Sequence, residues 1–173
     1  MIVIPYLVYL LYGKSTPADH VWAAILFGAA FWTDFFDGLL ARRMQKITRL
    51  GKIMDPMADK LMVNTALVML VYLGFTDVLI VILLIGREIA VNALRSLAGA
   101  EGITINPSLS GRIKVFLEGF GIAFLFLGPE QRWFGIPWME LGSVLLYAGL
   151  ALALWSAAFY FRDYYRATGT SAA

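Results

Sequence analysis

The chain has 173 residues, the length of one domain, but Ala, Val, Ile, Leu, Met, Phe, Trp, Tyr and Cys make up 60% of it and charged residues only 15%, with a mean hydropathy of +0.74. Soluble chains carry about 25% charge, so the composition is that of an integral membrane protein. With no cysteine, disulfides, thiolate metal sites and cysteine nucleophiles are excluded, and a net charge of +2 is too small for a nucleic-acid partner.

A helix needs about 20 predominantly apolar residues to cross about 30 Å of hydrocarbon. Six runs qualify in outline, at 1–12, 21–40, 57–75, 78–98, 113–128 and 141–161. The first, MIVIPYLVYLLY, rises only about 18 Å, so the N-terminal part of helix 1 is expected to lie outside this sequence. Read as a signal peptide, the run lacks both a basic start and a small-residue cleavage site. The connectors GKSTPADH, ARRMQKITRLGK, GFTD, AGAEGITINPSLSGR and GPEQRWFGIP carry turn residues, and none is a linker between domains. Residues 1–173 therefore read as a single membrane domain.

Alternating helices put Lys14 and Arg132 on one face and the other twelve basic residues on the opposite face or in the adjoining helix halves. By the positive-inside rule the richer face is cytoplasmic. The expected architecture is an all-α bundle of six transmembrane helices with both termini cytoplasmic. Trp22, Trp133 and Trp138 form an outer aromatic belt and Tyr160, Tyr164 and Tyr165 an inner one. His20, at the start of helix 2, reads as solvated or interfacial.

Ionisable residues inside spans are costly and point to function. They are Asp34, Asp37, Asp59, Lys60, Arg87, Glu88 and Glu118, with Asp55, Arg112 and Lys114 near span ends. Nearly all fall in the cytoplasmic half, because Asp34 lies about 12 Å before Arg42 along its helix. Asp34 and Asp37 are spaced i,i+3 and Asp55 and Asp59 i,i+4, so each pair shares a helix face. Four carboxylates converging in a low-dielectric bundle repel unless cations sit between them, and hard oxygen ligands suit Mg²⁺, Mn²⁺ or Ca²⁺. Gly38 and Ala41 leave room for a bulky ligand, and Arg42 offers a planar fork for phosphate oxygens. This is equipment for phosphoryl chemistry on a lipid-linked phosphate, with two metals clamping the attacked group. Glu88 beside Arg87 reads as an orienting partner. Gly119, Gly121, Gly142 and Gly149 read as close helix packing, and Gly86 as a place where a neighbour or substrate comes near.

Written out, Asp34-Phe-Phe-Asp37-Gly38-Leu-Leu-Ala41-Arg42, then eight residues to Gly51, three to Asp55 and three to Asp59, resembles the complete D-x2-D-G-x2-A-R-x8-G-x3-D-x3-D motif of the CDP-alcohol phosphotransferases. The six-helix pattern extends the resemblance over nearly the whole chain. GKIMDPMADKLMV, GREIAVNALRSL and GRIK are most similar to the phosphatidylglycerophosphate synthase branch. Val115 and Glu118 depart from it, where Thr and Gln are frequent.

The resemblance implies that Asp34, Asp37, Asp55 and Asp59 hold two divalent cations, Mg²⁺ or Mn²⁺. It further implies that Asp34, Asp37, Gly38, Ala41, Arg42 and Gly51 border the CDP group and that Asp59 is the general base. The reaction implied is attack of the glycerol 3-phosphate hydroxyl on the β-phosphorus of CDP-diacylglycerol, releasing CMP. The acceptor's phosphate needs a cationic seat, for which Lys60, Arg87, Arg112 and Lys114 are the candidates and Arg95 a further one. Other acceptors for the same chemistry are inositol phosphate, serine and phosphatidylglycerol. Membrane lipids and a second copy in a homodimer are the partners the family implies. A divalent-cation transporter is the rival reading, but its ligands belong near the midplane in repeated halves, and here the carboxylates are one-sided with no visible repeat.

Overall fold

A computed structural model describes the backbone at 3–44, 51–101 and 109–170, and side chains at 3–33, 60–101 and 113–168 apart from position 133. Two of the helices start where local chemistry satisfies their free N–H groups. Thr16 and Asp19 form a capping box around Pro17: the Asp19 carboxylate accepts from the Thr16 N–H at 2.8 Å and hydroxyl at 2.7 Å, while the Asp19 N–H donates back to the Thr16 hydroxyl at 3.4 Å. These bonds hold the Asp19 carboxyl below the usual carboxylate range. Asp77 caps the fourth helix by accepting from the Leu79 N–H at 2.7 Å.

The described elements are α1 (Val3–Leu11), α2 (Pro17–Met44), α3 (Gly51–Tyr72), α4 (Val78–Ala100), α5 (Leu109–Phe126) and α6 (Trp138–Thr170), with a short 3-10 turn at Trp133–Gly135 and no strand among the described residues. All six expected helices are present. Several outrun their apolar stretches: α2 continues to Met44 through Arg42 and Arg43, and α6 continues to Thr170 through Arg162, Asp163 and Arg166. At 1.5 Å per residue α6 is about 50 Å long, well over the hydrocarbon thickness.

Side-chain contacts give the helix directions. Tyr12 stacks on Tyr72 at 5.4 Å, joining the ends of α1 and α3. On α2 and α5 the pairs are Phe27 with Phe126 and Trp32 with Phe116 and Phe120, an antiparallel register. α5 and α6 are also antiparallel, since Gly121 meets Gly142 and Leu146 while Glu118 meets Gly149. α4 and α6 run the same way: Arg87 bonds to Ala153 and Ser156, Arg95 to Tyr160, and Glu101 to Tyr164. The result is an alternating up-and-down bundle. Lys14 and Arg132 lie at the end where α2 begins, whereas Arg42, Arg43, Lys52, Arg95, Arg112, Arg162 and Arg166 lie toward the other.

The main core is built on Leu7, Leu11, Phe27, Leu67, Leu70, Ile122, Leu125, Phe126 and Leu146, all essentially inaccessible. A smaller core between α4 and α6 holds Val91, Leu94 and Tyr160. Tyr160 is only 4% exposed and so does not belong to an interfacial belt, unlike Trp22 and Tyr165, which are open. Phe134, 96% exposed at the end where α2 begins, is an apolar tip the sequence reading did not single out. Among the described residues one helix, Trp138–Thr168, is long and apolar enough to cross a membrane on length and composition. Charged residues interrupt the apolar runs of α4, which carries Arg87, Glu88 and Arg95, and of α5, which carries Arg112, Lys114 and Glu118.

Candidate active site

The aspartate motif lies on two helices in contact with each other. Asp34, Asp37, Gly38, Ala41 and Arg42 are on α2, and Gly51, Asp55 and Asp59 are on α3; their side chains fall outside the described residues, as does that of Arg112 on α5. Helix continuity gives their level in the bundle. Asp34 follows Trp32, which packs against Phe116, two residues past Lys114, and Asp59 immediately precedes Lys60. All donors in this set are carboxylate oxygens, which fits a hard divalent cation. Among the described residues no three His, Cys, Asp or Glu gather into a metal-binding group, and the four aspartates are not among those residues.

At the same level three helices meet in a charge cluster. Glu88 of α4 pairs with Lys114 of α5 at 2.8 Å, with Lys60 of α3 at 3.6 Å and with its neighbour Arg87 at 3.8 Å, and Lys114 also lies 3.4 Å from Glu118 one turn along α5. Three of the four proposed acceptor cations are thus brought into one group, with two carboxylates between them. Such a group survives burial because each charge has a partner; removing one would strand another in a low dielectric.

The cations are not equivalent. Arg87 is spent on α6: its Nε donates to the Ala153 carbonyl at 2.9 Å and a terminal nitrogen to the Ser156 hydroxyl at 3.3 Å. Its side chain is 8% exposed and that of Lys114 4%, whereas Lys60 is 38% exposed. Arg95 lies apart from the group, donating to the Tyr160 hydroxyl at 2.7 Å with its guanidinium 4.9 Å from the ring centre. Glu118 is paired with Lys114. Gly86 has no atom within 4 Å of where a Cβ would stand, so it accommodates no close neighbour here. Ser156, Tyr160 and Tyr164 were not anticipated as polar partners of α4; Ser156, a polar residue inside the apolar run of α6, was the available signal.

His20 sits at the opposite end of the bundle. Its ring tilts against Phe75 at 5.2 Å, Ser15 lies 3.3 Å from Nε2, and with Pro17, Leu127, Gly128, Pro129 and Glu130 these residues line a cavity of about 220 Å³. It is half-buried rather than freely solvated, and burial lowers its pKa from the ordinary 6.5, outweighing the opposing charges of Asp19 and Glu130. A depressed folded-state pKa favours the neutral ring. Stability from this site is therefore complete above pH 6.5 and is lost as pH falls below it toward the folded-state value. Thermal unfolding in detergent should show a lower midpoint at acidic than at neutral pH, and His20→Gln should remove that component; an unchanged pH profile in the variant would locate the dependence elsewhere.

A family model described as CDP-alcohol phosphatidyltransferase matches residues 1–155. The chain belongs to that family. Among its relatives, a Rickettsia typhi protein named CDP-diacylglycerol–glycerol-3-phosphate 3-phosphatidyltransferase is 32% identical over 163 residues, covering 94% of this chain and 90% of the relative. Proteins with the same name from Bacillus subtilis and Shigella flexneri are 36% identical over 147 residues and 34% over 161, covering 85% and 90% of this chain and 71% and 85% of the relatives.

Proposed function

We propose that the protein transfers the phosphatidyl group of CDP-diacylglycerol to glycerol 3-phosphate, giving phosphatidylglycerol phosphate and CMP. The observation that carries this reading is the name shared by relatives that cover most of the chain, together with a motif complete at all eight positions from Asp34 to Asp59. In this reading residues 1–173 form one multi-pass domain of six spans in the cytoplasmic membrane, with both termini and the site on the basic, cytoplasmic face. The family resemblance adds a homodimer.

Asp34, Asp37, Asp55 and Asp59 would hold two divalent cations, Mg²⁺ or Mn²⁺, which when bound offset the negative charge of the diphosphate. Gly38, Ala41, Arg42 and Gly51 border the CDP group, the small residues giving clearance and Arg42 a fork toward phosphate oxygen. Asp59 accepts the proton of the acceptor hydroxyl as that oxygen bonds to the β-phosphorus. The bond from the β-phosphorus to the bridging oxygen breaks, and CMP leaves with the electron pair. Lys60, Arg87, Arg112 and Lys114 form the cationic surroundings of the acceptor's phosphate. Of the three whose side chains are described, Lys60 is the accessible one.

The test is CMP release by the purified protein in detergent with CDP-diacylglycerol and Mg²⁺. Glycerol 3-phosphate, inositol phosphate, serine and phosphatidylglycerol are offered in parallel. Release only with glycerol 3-phosphate, abolished by EDTA, is the expected result. Release with a different acceptor alone would overturn the acceptor assignment while keeping the chemistry.

A further inference from the structure

Glu88 is the hub of the charge cluster, and its three ion pairs differ in what each cation has besides it. Lys114 has a second carboxylate, Glu118, at 3.4 Å. Arg87 has the Ala153 carbonyl and the Ser156 hydroxyl. For Lys60, Glu88 at 3.6 Å is the one ion-pair partner among the described residues. This is also the open edge of the cluster, with Lys60 38% and Glu88 28% exposed while Arg87 and Lys114 are buried. A lysine head group on a four-carbon stem samples many rotamers unless something holds it. Glu88, itself held at 2.8 Å by the buried Lys114, is a fixed point from which to hold it, and Lys60 follows Asp59 on the same helix.

We propose that Glu88 is a positioning residue for acceptor binding: its carboxylate, anchored on Lys114, holds the Lys60 ammonium group beside the motif, and through Lys60 it sets affinity for an anionic acceptor. The inference rests on the reading that glycerol 3-phosphate is the acceptor and that its phosphate meets Lys60. It assigns Glu88 no contact with substrate. A positioning role of this kind acts on acceptor binding and leaves the chemical step nearly untouched, whereas a general packing defect lowers turnover as well.

The experiment is steady-state CMP release by the full chain in detergent, with glycerol 3-phosphate varied at saturating CDP-diacylglycerol and Mg²⁺. Glu88→Gln, which keeps the shape and removes the charge, should raise KM for glycerol 3-phosphate about tenfold with kcat within about twofold, and Glu88→Asp should raise it about threefold. Lys60→Met should also raise KM about tenfold. The double variant should stay near about twentyfold rather than reach the product of about a hundredfold, because the two residues act as one unit. An unchanged KM in Glu88→Gln, a lower KM, a loss confined to kcat, or a fully multiplicative double variant would each overturn the role. If Glu88→Gln does not fold, Glu88→Asp decides: a raised KM with kcat kept supports the role, and an unchanged KM overturns it. Wild-type release that fails to depend on glycerol 3-phosphate would overturn the acceptor reading and this inference with it. Dependence on glycerol 3-phosphate without the KM effect would overturn the inference alone.

Discussion

Asp59→Asn should lower turnover by about 10²- to 10⁴-fold, the range general-base catalysis contributes. The amide keeps the size of the side chain and one oxygen for a cation, but it cannot accept the proton of the acceptor hydroxyl. Asp34→Asn provides the contrast. In the proposed site Asp34 has a metal role and no proton-transfer role, so its substitution should weaken Mg²⁺ dependence more and Asp59→Asn should weaken it less. The measurement is kcat for CMP release across a Mg²⁺ titration in both variants. Near-normal turnover in Asp59→Asn would remove Asp59 from the role of base.

Gly142→Ala should destabilise the protein by about 2 kcal/mol, within the usual range for overpacking a filled interface. A Cβ at this position would stand 2.8 Å from the Leu125 nitrogen and 2.9 Å from the Gly121 carbonyl oxygen, both backbone atoms that cannot move without shifting α5. Gly121→Ala should behave alike, since its Cβ would meet the Leu146 nitrogen at 2.9 Å. Close approach of this kind is what small residues allow between helices in lipid. For a chain of this size the loss corresponds to a fall in unfolding midpoint of about 4 to 8 °C. The internal comparison is Gly28→Ala, where nothing lies within 4 Å. There the gain in helix propensity of up to about 1 kcal/mol is unopposed, so the same substitution should leave stability unchanged or raise it. Equal effects at positions 28 and 142 would show that the α5–α6 contact does not depend on glycine.

Helix number, order and alternation were legible because apolar runs separated by turn residues leave few other arrangements in a membrane chain. Helix ends were not, because an apolar run marks where hydrocarbon is favourable and not where backbone hydrogen bonding stops. The Thr16–Asp19 box starts α2 four residues before its apolar run at 21, and good helix formers carry it on through Arg42 and Arg43. The close-packing role of Gly121 and Gly142 was readable, while Gly86 carried the same signature and faces open space; residue type reports what a position permits, and only the neighbour decides its use. The aspartate spacing identified the family. The partition of the nearby cations was hidden, since nothing in the sequence says that Arg87 reaches across to Ala153 and Ser156 or that Tyr160 is buried under Arg95.

The pattern that defines the family stops at residue 155, but the fasteners between α4 and α6 do not. Ser156 and Tyr160, which accept from Arg87 and Arg95, and Tyr164, which donates to Glu101, all lie past that point, and of this series only the Ala153 carbonyl precedes it. A chain shortened to the family boundary would keep the full aspartate motif, the α5–α6 seam and every ion pair around Glu88, yet release the C-terminal half of α4 from the helix that runs alongside it. The final turns of α6 thus behave as a splint for the helix that carries Glu88, so the stretch of chain that recognition requires is shorter than the stretch that rigidity requires.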